Sequence, residues 1–138
     1  GEGSAFGQPE VLLGIIPGGG ATQRLTRLVG RATAKRLIWG GAAVKAAEAL
    51  ALGLADEVVG DDEILDRACA LAAGYAAGPR VAIRAAKRAI DGGVDMTLAD
   101  GVDLELELFL EVFETNDARV GVESFFEHGP GKAHFTGS

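Results

Sequence analysis

Apolar positions in this chain follow helical spacing over most of its length, interrupted by glycine and proline. Residues 11–16 form a compact apolar run closed by Pro17 and three glycines. Beyond it Leu25, Leu28 and Val29 fall at helical intervals, and Gly30 is the predicted stop. A second short helix is predicted over residues 31–39. Residues 40–44 read as irregular or extended, residues 45–53 as a helix terminated by Gly53, residues 54–60 as a short strand, and Ala5 and Phe6 as the end of another strand. From Asp61 the pattern becomes wholly helical. Ile64, Leu65, Ala68, Leu71, Ala72 and Tyr75 recur at three and four, and that helix should stop near Gly78. Pro79 suits the first turn of the next one, which carries Val81, Ala85 and Ala89 on one side and Arg80, Arg84, Lys87 and Arg88 on the other. Gly92 and Gly93 end it.

Thr97 is the predicted N-cap of a long helix reaching about Glu114. Turned at 100° per residue, this segment puts Leu106, Phe109, Leu110 and Phe113 on one face, with Leu104, Leu108 and Val112 beside it. Glu107, Glu111 and Glu114 share a remaining stripe. Glu105 falls inside the apolar arc, where it is expected to meet an arginine across a helix contact. A helix apolar around most of its circumference is buried from more than one side, which in a short chain suggests cover by another subunit.

Composition narrows the classes. A chain of 138 residues suffices for one domain, and 48% apolar residues with few aromatics describe a packed, helix-rich protein. Thirteen basic against 20 acidic side chains give a net charge of -7, which argues against nucleic acid as a partner. The single Cys69 cannot form an internal disulfide and sits in an apolar helical context, so it reads as a core thiol in a reducing, cytoplasmic setting. No apolar run approaches the length of a membrane span, and no basic-then-apolar leader opens the sequence. His128 and His134 lack partners at metal-binding spacing, so no metal site is expected.

One stretch carries candidate chemistry. Pro9 holds the preceding residue extended, so Glu10 is presented from a turn rather than from a solvated helix face. Eight residues later Gly18, Gly19 and Gly20 allow close backbone approach and leave amide N–H groups free at a helix start. A carboxylate and free amides so spaced could hold one water between them. The same pattern also fits a glycine-rich loop joining strand and helix, with an exposed glutamate.

The segment Phe-Gly-Gln-Pro-Glu at residues 6–10, the apolar run after it and Ile16-Pro17-Gly18 resemble the corresponding segment of enoyl-CoA hydratases in the crotonase superfamily. Residues 46–59, 76–90 and 105–127 are similar to later helices and strands of that family, so the resemblance spans essentially the whole chain. It implies an α/β fold, the crotonase-like spiral, with this chain as its mostly helical C-terminal half. Residues 1–60 would be the end of the spiral core with the active-site loop, and residues 61–138 a helical oligomerisation region.

By the same resemblance, Glu10 is one of two carboxylates that activate water and return a proton during syn addition of water to a trans-2-enoyl-CoA. The amide of Gly18 would position that water, and Pro17 and Gly19 would border the substrate. The second carboxylate and the oxyanion-hole amides belong to the family's preceding half, so this chain alone is expected to have little or no activity. Phe109 and Phe125 match positions near the coenzyme A of a neighbouring subunit. The implied partners are an acyl-CoA thioester, the other half of the fold and further copies in a homotrimer or dimer of trimers; coenzyme A arrives as part of the substrate and no separate cofactor is implied. Related activities of the family are double-bond isomerisation and thioester hydrolysis, and a non-catalytic acyl-CoA-binding or oligomerisation module is a third reading.

Four positions, in three places, depart from the family pattern. Pro-Gly-Gly-Gly-Ala-Thr stands where Pro-Gly-Ala-Gly-Gly-Thr is frequent, a mild exchange. His128 occupies the place of a lysine that binds coenzyme A in some relatives, with Lys132 near enough in sequence to substitute. Lys45 replaces the usual serine or threonine at a helix start, losing a cap worth about 1 kcal/mol.

Overall fold

The computed structural model describes residues 1–138, which pack as two units, Gly1–Ala68 and Cys69–Ser138. In the first, strand β1 (Ala5–Phe6) pairs antiparallel with β2 (Val44–Lys45), Phe6 opposite Val44. Between them lie a 3-10 turn at Glu10–Leu13 and helix α1 (Ala21–Gly40); helix α2 (Ala46–Ala51) follows β2 directly. The core is small: Leu37, Val44 and Ala49 are buried, with Leu25, Leu52 and Leu54 packed against them.

The predicted break in α1 is present. Gly30 has φ 76° and ψ 163°, a conformation in which it cannot continue the helix, so α1 is two helical segments meeting at that residue. Lys45 is the N-cap of α2 and supplies no side-chain hydrogen bond, as expected for lysine in place of a hydroxyl residue. Gly53 at φ 73° terminates the turn after α2. Residues 54–60, expected as a strand, form none. The N–H groups of Leu54 and Ala55 donate back to the Ala49 carbonyl at 2.9 and 3.3 Å, which ties the start of the segment to the end of α2. One ladder-like bond remains, from Glu2 N–H to the Val59 carbonyl at 3.0 Å.

Helix α3 (Ile64–Ala76) is followed by α4 (Arg80–Gly93), α5 (Leu98–Phe113) and α6 (Asn116–His128). Thr97 caps α5 by accepting from the Asp100 N–H at 3.2 Å, and Thr115 caps α6 by accepting from the Ala118 N–H at 3.1 Å. Helices α4 and α5 cross closely around Ala85 and Leu108, both buried. Glycine permits that approach: a Cβ on Gly101 would stand 3.5 Å from the Gly93 carbonyl oxygen, and one on Gly92 would stand 3.1 Å from the Leu104 side chain.

Two expectations on these helices change, those for Cys69 and Glu105, while the cover expected over α5 is not supplied from within this chain. Cys69 is exposed, because α3 buries none of its residues within this chain and its apolar stripe meets nothing that would make the thiol a core group. Leu108 is the one buried residue of α5, while Leu106, Phe109, Leu110 and Phe113 remain more than half exposed. Glu105 meets no arginine. The arginine that crosses from α4 is Arg88, and it reaches Glu111, on the acidic stripe, at 3.4 Å.

Candidate active site

Glu10 opens the 3-10 turn that follows β1. Pro9 precedes it at φ -85°, and the Leu12 N–H donates to the Pro9 carbonyl at 2.9 Å, so the turn is closed around the carboxylate-bearing residue. Two glycines set where this turn lies. Gly7 runs against Ala43, where an added Cβ would stand 3.3 Å from the Ala43 Cα. Gly41 caps α1 at φ 63°, and a Cβ there would come within 2.9 Å of Leu12 Cγ, so the turn rests on bare backbone at the end of α1.

The Glu10 carboxylate is half-buried and has one side-chain partner. With its amide nitrogen facing Glu10, Gln8 donates to the two carboxylate oxygens at 3.2 and 3.3 Å. Sequence reasoning passed over Gln8 as only the residue before a proline. The extended conformation imposed by Pro9 was the available signal, since it places Gln8 and Glu10 within reach of each other. Gln8 also borders an apolar cavity of about 340 Å³ walled by Phe6, Leu25, Leu37 and Leu54.

The glycine loop is built as expected. Pro17 is buried and anchors the loop, while Gly18 and Gly19 are exposed, with no atom within 4 Å of where a Cβ would lie. Their N–H groups have no hydrogen-bond partner in the chain, so they remain donors at the entrance to α1. Gly20, at φ 93°, is the α1 N-cap, and its carbonyl accepts from the Gln23 and Arg24 N–H groups at 3.0 and 2.9 Å. Glu10, Pro17, Gly18 and Gly19 therefore all lie in the connection between β1 and α1, which carries one carboxylate together with unpartnered amide donors.

The other candidates lie in the second unit. Phe109 is 57% exposed on α5, its ring centroid 5.5 Å from that of Phe113, and it lines a groove of about 330 Å³ with Ala86, Ile90, Glu105 and Val112. Phe125 is 55% exposed on α6 and meets Phe126 edge-on at 5.7 Å. Lys132 is exposed beyond the end of α6 and has no carboxylate partner; His128, the last residue of α6, stands 3.8 Å from Glu127.

A second residue missed in the sequence is Asp117, 2% exposed in the first turn of α6. Backbone N–H groups of Thr136 and Gly137 and the Thr136 hydroxyl donate to its carboxylate, which holds it below the ordinary aspartate value. No short sequence pattern announces a contact across 19 and 20 positions.

The sequence model of the enoyl-CoA hydratase/isomerase family matches residues 1–138, the full length. The chain belongs to that family. It is similar to the short-chain-enoyl-CoA hydratase of Clostridioides difficile, at 47% identity over 120 residues covering 87% of this chain and 77% of that protein. The short-chain-enoyl-CoA hydratase of Clostridium acetobutylicum is 42% identical over 122 residues, 88% of this chain and 47% of its own length. Among solved structures, enoyl-CoA hydratase from Bacillus anthracis superposes with a TM-score of 0.88 at 35% identity, over 99% of this chain and 52% of that one. The crotonase-like fold inferred from residues 6–18 and the later helices is thus the fold of this chain. It spans about half the length of most relatives it matches. No helix is long and apolar enough to cross a membrane.

Proposed function

We propose that the protein containing this chain is an enoyl-CoA hydratase in which Glu10 is a catalytic acid/base. The observation that carries the reading is the Gln8–Glu10 pair on the same loop as the unpartnered amides of Gly18 and Gly19. A carboxylate held by one neutral amide keeps lone pairs available to accept a proton from water. Hydroxide equivalent from that water adds to C3 of the enoyl thioester, the electron pair of the double bond moves toward the thioester oxygen, and a proton returned to C2 completes the product. The Gly18 N–H orients the water, and Pro17 and Gly19 border the acyl group. The oxyanion donors and second carboxylate are contributed by the other half of the fold, in the same or another chain, so the 138-residue chain is inactive by itself.

The substrate brings coenzyme A with it, and no further cofactor takes part. Phe109, Phe125 and Lys132 contact that coenzyme A, Phe109 and Phe125 across a subunit boundary. The apolar face of α5, with Leu106, Phe109, Leu110 and Phe113 more than half exposed, is the kind of surface that a homotrimer or dimer of trimers covers. The acidic balance suits neither nucleic acid nor an anionic membrane surface, and the setting is cytoplasmic.

The test is Glu10→Gln in the complete protein with a trans-2-enoyl-CoA. Loss of an acid/base predicts a fall in kcat of roughly two to four powers of ten. Unchanged turnover removes Glu10 from the mechanism and favours an acyl-CoA-binding or oligomerisation module. The family also includes isomerases, and product mass separates the two chemistries: hydration adds one water, whereas isomerisation leaves the mass unchanged.

A further inference from the structure

After α6 the chain turns back and runs along it as an extended strap. Burial alternates from residue 133 to 138, with Ala133, Phe135 and Gly137 half-buried and His134, Thr136 and Ser138 exposed. Phe135 and residues 136–138 are seated against α6. A Cβ on Gly121 would stand 3.3 Å from the Phe135 ring, so glycine there makes room for it. One turn earlier, Asp117 accepts from the Thr136 N–H at 2.8 Å, the Thr136 hydroxyl at 3.2 Å and the Gly137 N–H at 2.7 Å. Its own N–H donates to the Ser138 carbonyl at 2.8 Å. From α4, Arg80 Nη2 donates to the Thr136 carbonyl at 2.8 Å, and Gly137 passes its guanidinium at φ 81°.

The near end of the strap is also fixed, because the Gly129 N–H donates to the Phe125 carbonyl at 3.0 Å. Lys132 lies in the short bend between these anchors, exposed and without an ion pair. Buried carboxylates are disfavoured unless hydrogen-bonded donors surround them, and here the donors are all backbone or hydroxyl groups of the strap. Asp117 therefore binds one segment of its own chain, and that segment ends the loop bearing Lys132.

We propose that Asp117 is a positioning residue for Lys132: by pinning residues 136–138 it holds the bend so that the ammonium is presented to the phosphates of an acyl-CoA. This rests on the assignment of Lys132 as a phosphate contact. A bend fixed at both ends gives up less conformational freedom when a ligand docks than one fixed at a single end, so the anchor acts on substrate affinity rather than on the chemical step.

The experiment uses the complete protein with an enoyl-CoA and, as a second substrate, the matching enoyl-pantetheine, which lacks every phosphate. Asp117→Ala is expected to raise KM for the enoyl-CoA about tenfold with kcat within about twofold, and to leave kcat/KM for the pantetheine thioester unchanged. Asp117→Asn, which keeps one acceptor oxygen, falls between it and the parent protein. Lys132→Ala raises the same KM, and the double variant is no worse than Lys132→Ala alone. Arg80→Ala, at an exposed position, raises KM in the same direction by less. Equal losses on both substrates, or full additivity with Lys132→Ala, overturn the proposal. If Lys132→Ala raises KM and Asp117→Ala does not, the positioning role alone is lost; if Lys132→Ala leaves KM unchanged, the phosphate assignment fails and the proposal with it. Should Asp117→Ala not fold, an unchanged KM in Arg80→Ala decides against it.

Discussion

With its amide assigned so that the nitrogen faces Glu10, Gln8 donates to the two Glu10 carboxylate oxygens at 3.2 and 3.3 Å, across the proline that separates them. Pro9 makes this possible by holding Gln8 extended. The pair fixes the direction of a carboxylate that otherwise rotates freely about its side-chain torsions. An interaction between a neutral donor and a charged acceptor contributes about 1.5–3 kcal/mol, so its loss is felt when the carboxylate must be in place for proton transfer.

Gln8→Ala in the complete protein should therefore lower kcat by roughly 10- to 100-fold, with a smaller change in KM. Steady-state rates with an enoyl-CoA measure both. A change confined to KM would show that Gln8 shapes substrate binding and leaves Glu10 unaffected.

Gly41 offers a test of how the turn bearing Glu10 is seated. Its φ of 63° lies in the left-handed region, and a Cβ would meet Leu12 Cγ at 2.9 Å. Gly41→Ala should cost about 1–2 kcal/mol from the backbone alone. It should also move the 3-10 turn. Denaturant unfolding reads the first effect and kcat the second. Leu12→Ala in the same background removes the contact but not the backbone strain, so it should recover turnover while stability stays low. Recovery of both would place the whole cost in the side-chain contact.

How much of this was legible in advance depended on the range of the interaction. Local signals held: the Gly30 break, the Thr97 cap, the start of α4 after Pro79 and the uncapped Lys45 all follow from a residue and its near neighbours. Helical periodicity correctly placed Leu104 to Phe113 in one helix. What failed were inferences about partners. Residues 54–60 had strand composition, yet the Ala49 carbonyl captured the first two amides. Cys69 had a core-like context, but burial needs a second surface and α3 has none in this chain. Glu105 and Glu111 lie within two turns of each other, and only the crossing of α4 over α5 selects Glu111 for Arg88. In the candidate site, Glu10 and the glycines were visible from spacing and resemblance. Asp117 was not, because its donors are backbone groups of residues 136 and 137, which side-chain patterns do not record.

The same carboxylate makes the strap acid-sensitive. The Thr136 N–H, followed by the Gly137 N–H, the Thr136 hydroxyl and the Ser138 N–H, favours the charged form, while desolvation opposes it less strongly, and the folded-state pKa lies below the ordinary 3.8. A depressed carboxylate pKa contributes stability that is fully present above the unfolded value and lost as pH falls through the folded one. The stability difference between the parent and Asp117→Asn should therefore be constant above about pH 5 and shrink below about pH 4. Amide exchange at Thr136 and Gly137 reads it locally, with protection falling in acid in the parent and already low in the variant. A gap that widened in acid would assign the opposite sign to the carboxylate.

The cap at Thr97 isolates a helix start from the rest of the packing. Its Oγ1 accepts from the Asp100 N–H at 3.2 Å and donates to the Asp100 carboxylate at 2.6 Å, so one hydroxyl serves both the backbone and an acidic first-turn side chain. Thr97→Ala leaves an amide donor unpaired and frees the carboxylate, a loss of about 1 kcal/mol. Thr97→Ser keeps both bonds and should stay within a few tenths of a kcal/mol of the parent. Because α5 meets α4 through Gly101, one turn beyond the cap, fraying at Thr97 should loosen that close crossing as well. Urea unfolding of the three proteins, with amide exchange at Asp100 and Gly101, separates the outcomes. If serine were as destabilising as alanine, the threonine methyl group, and not its hydroxyl, would be what holds the helix start.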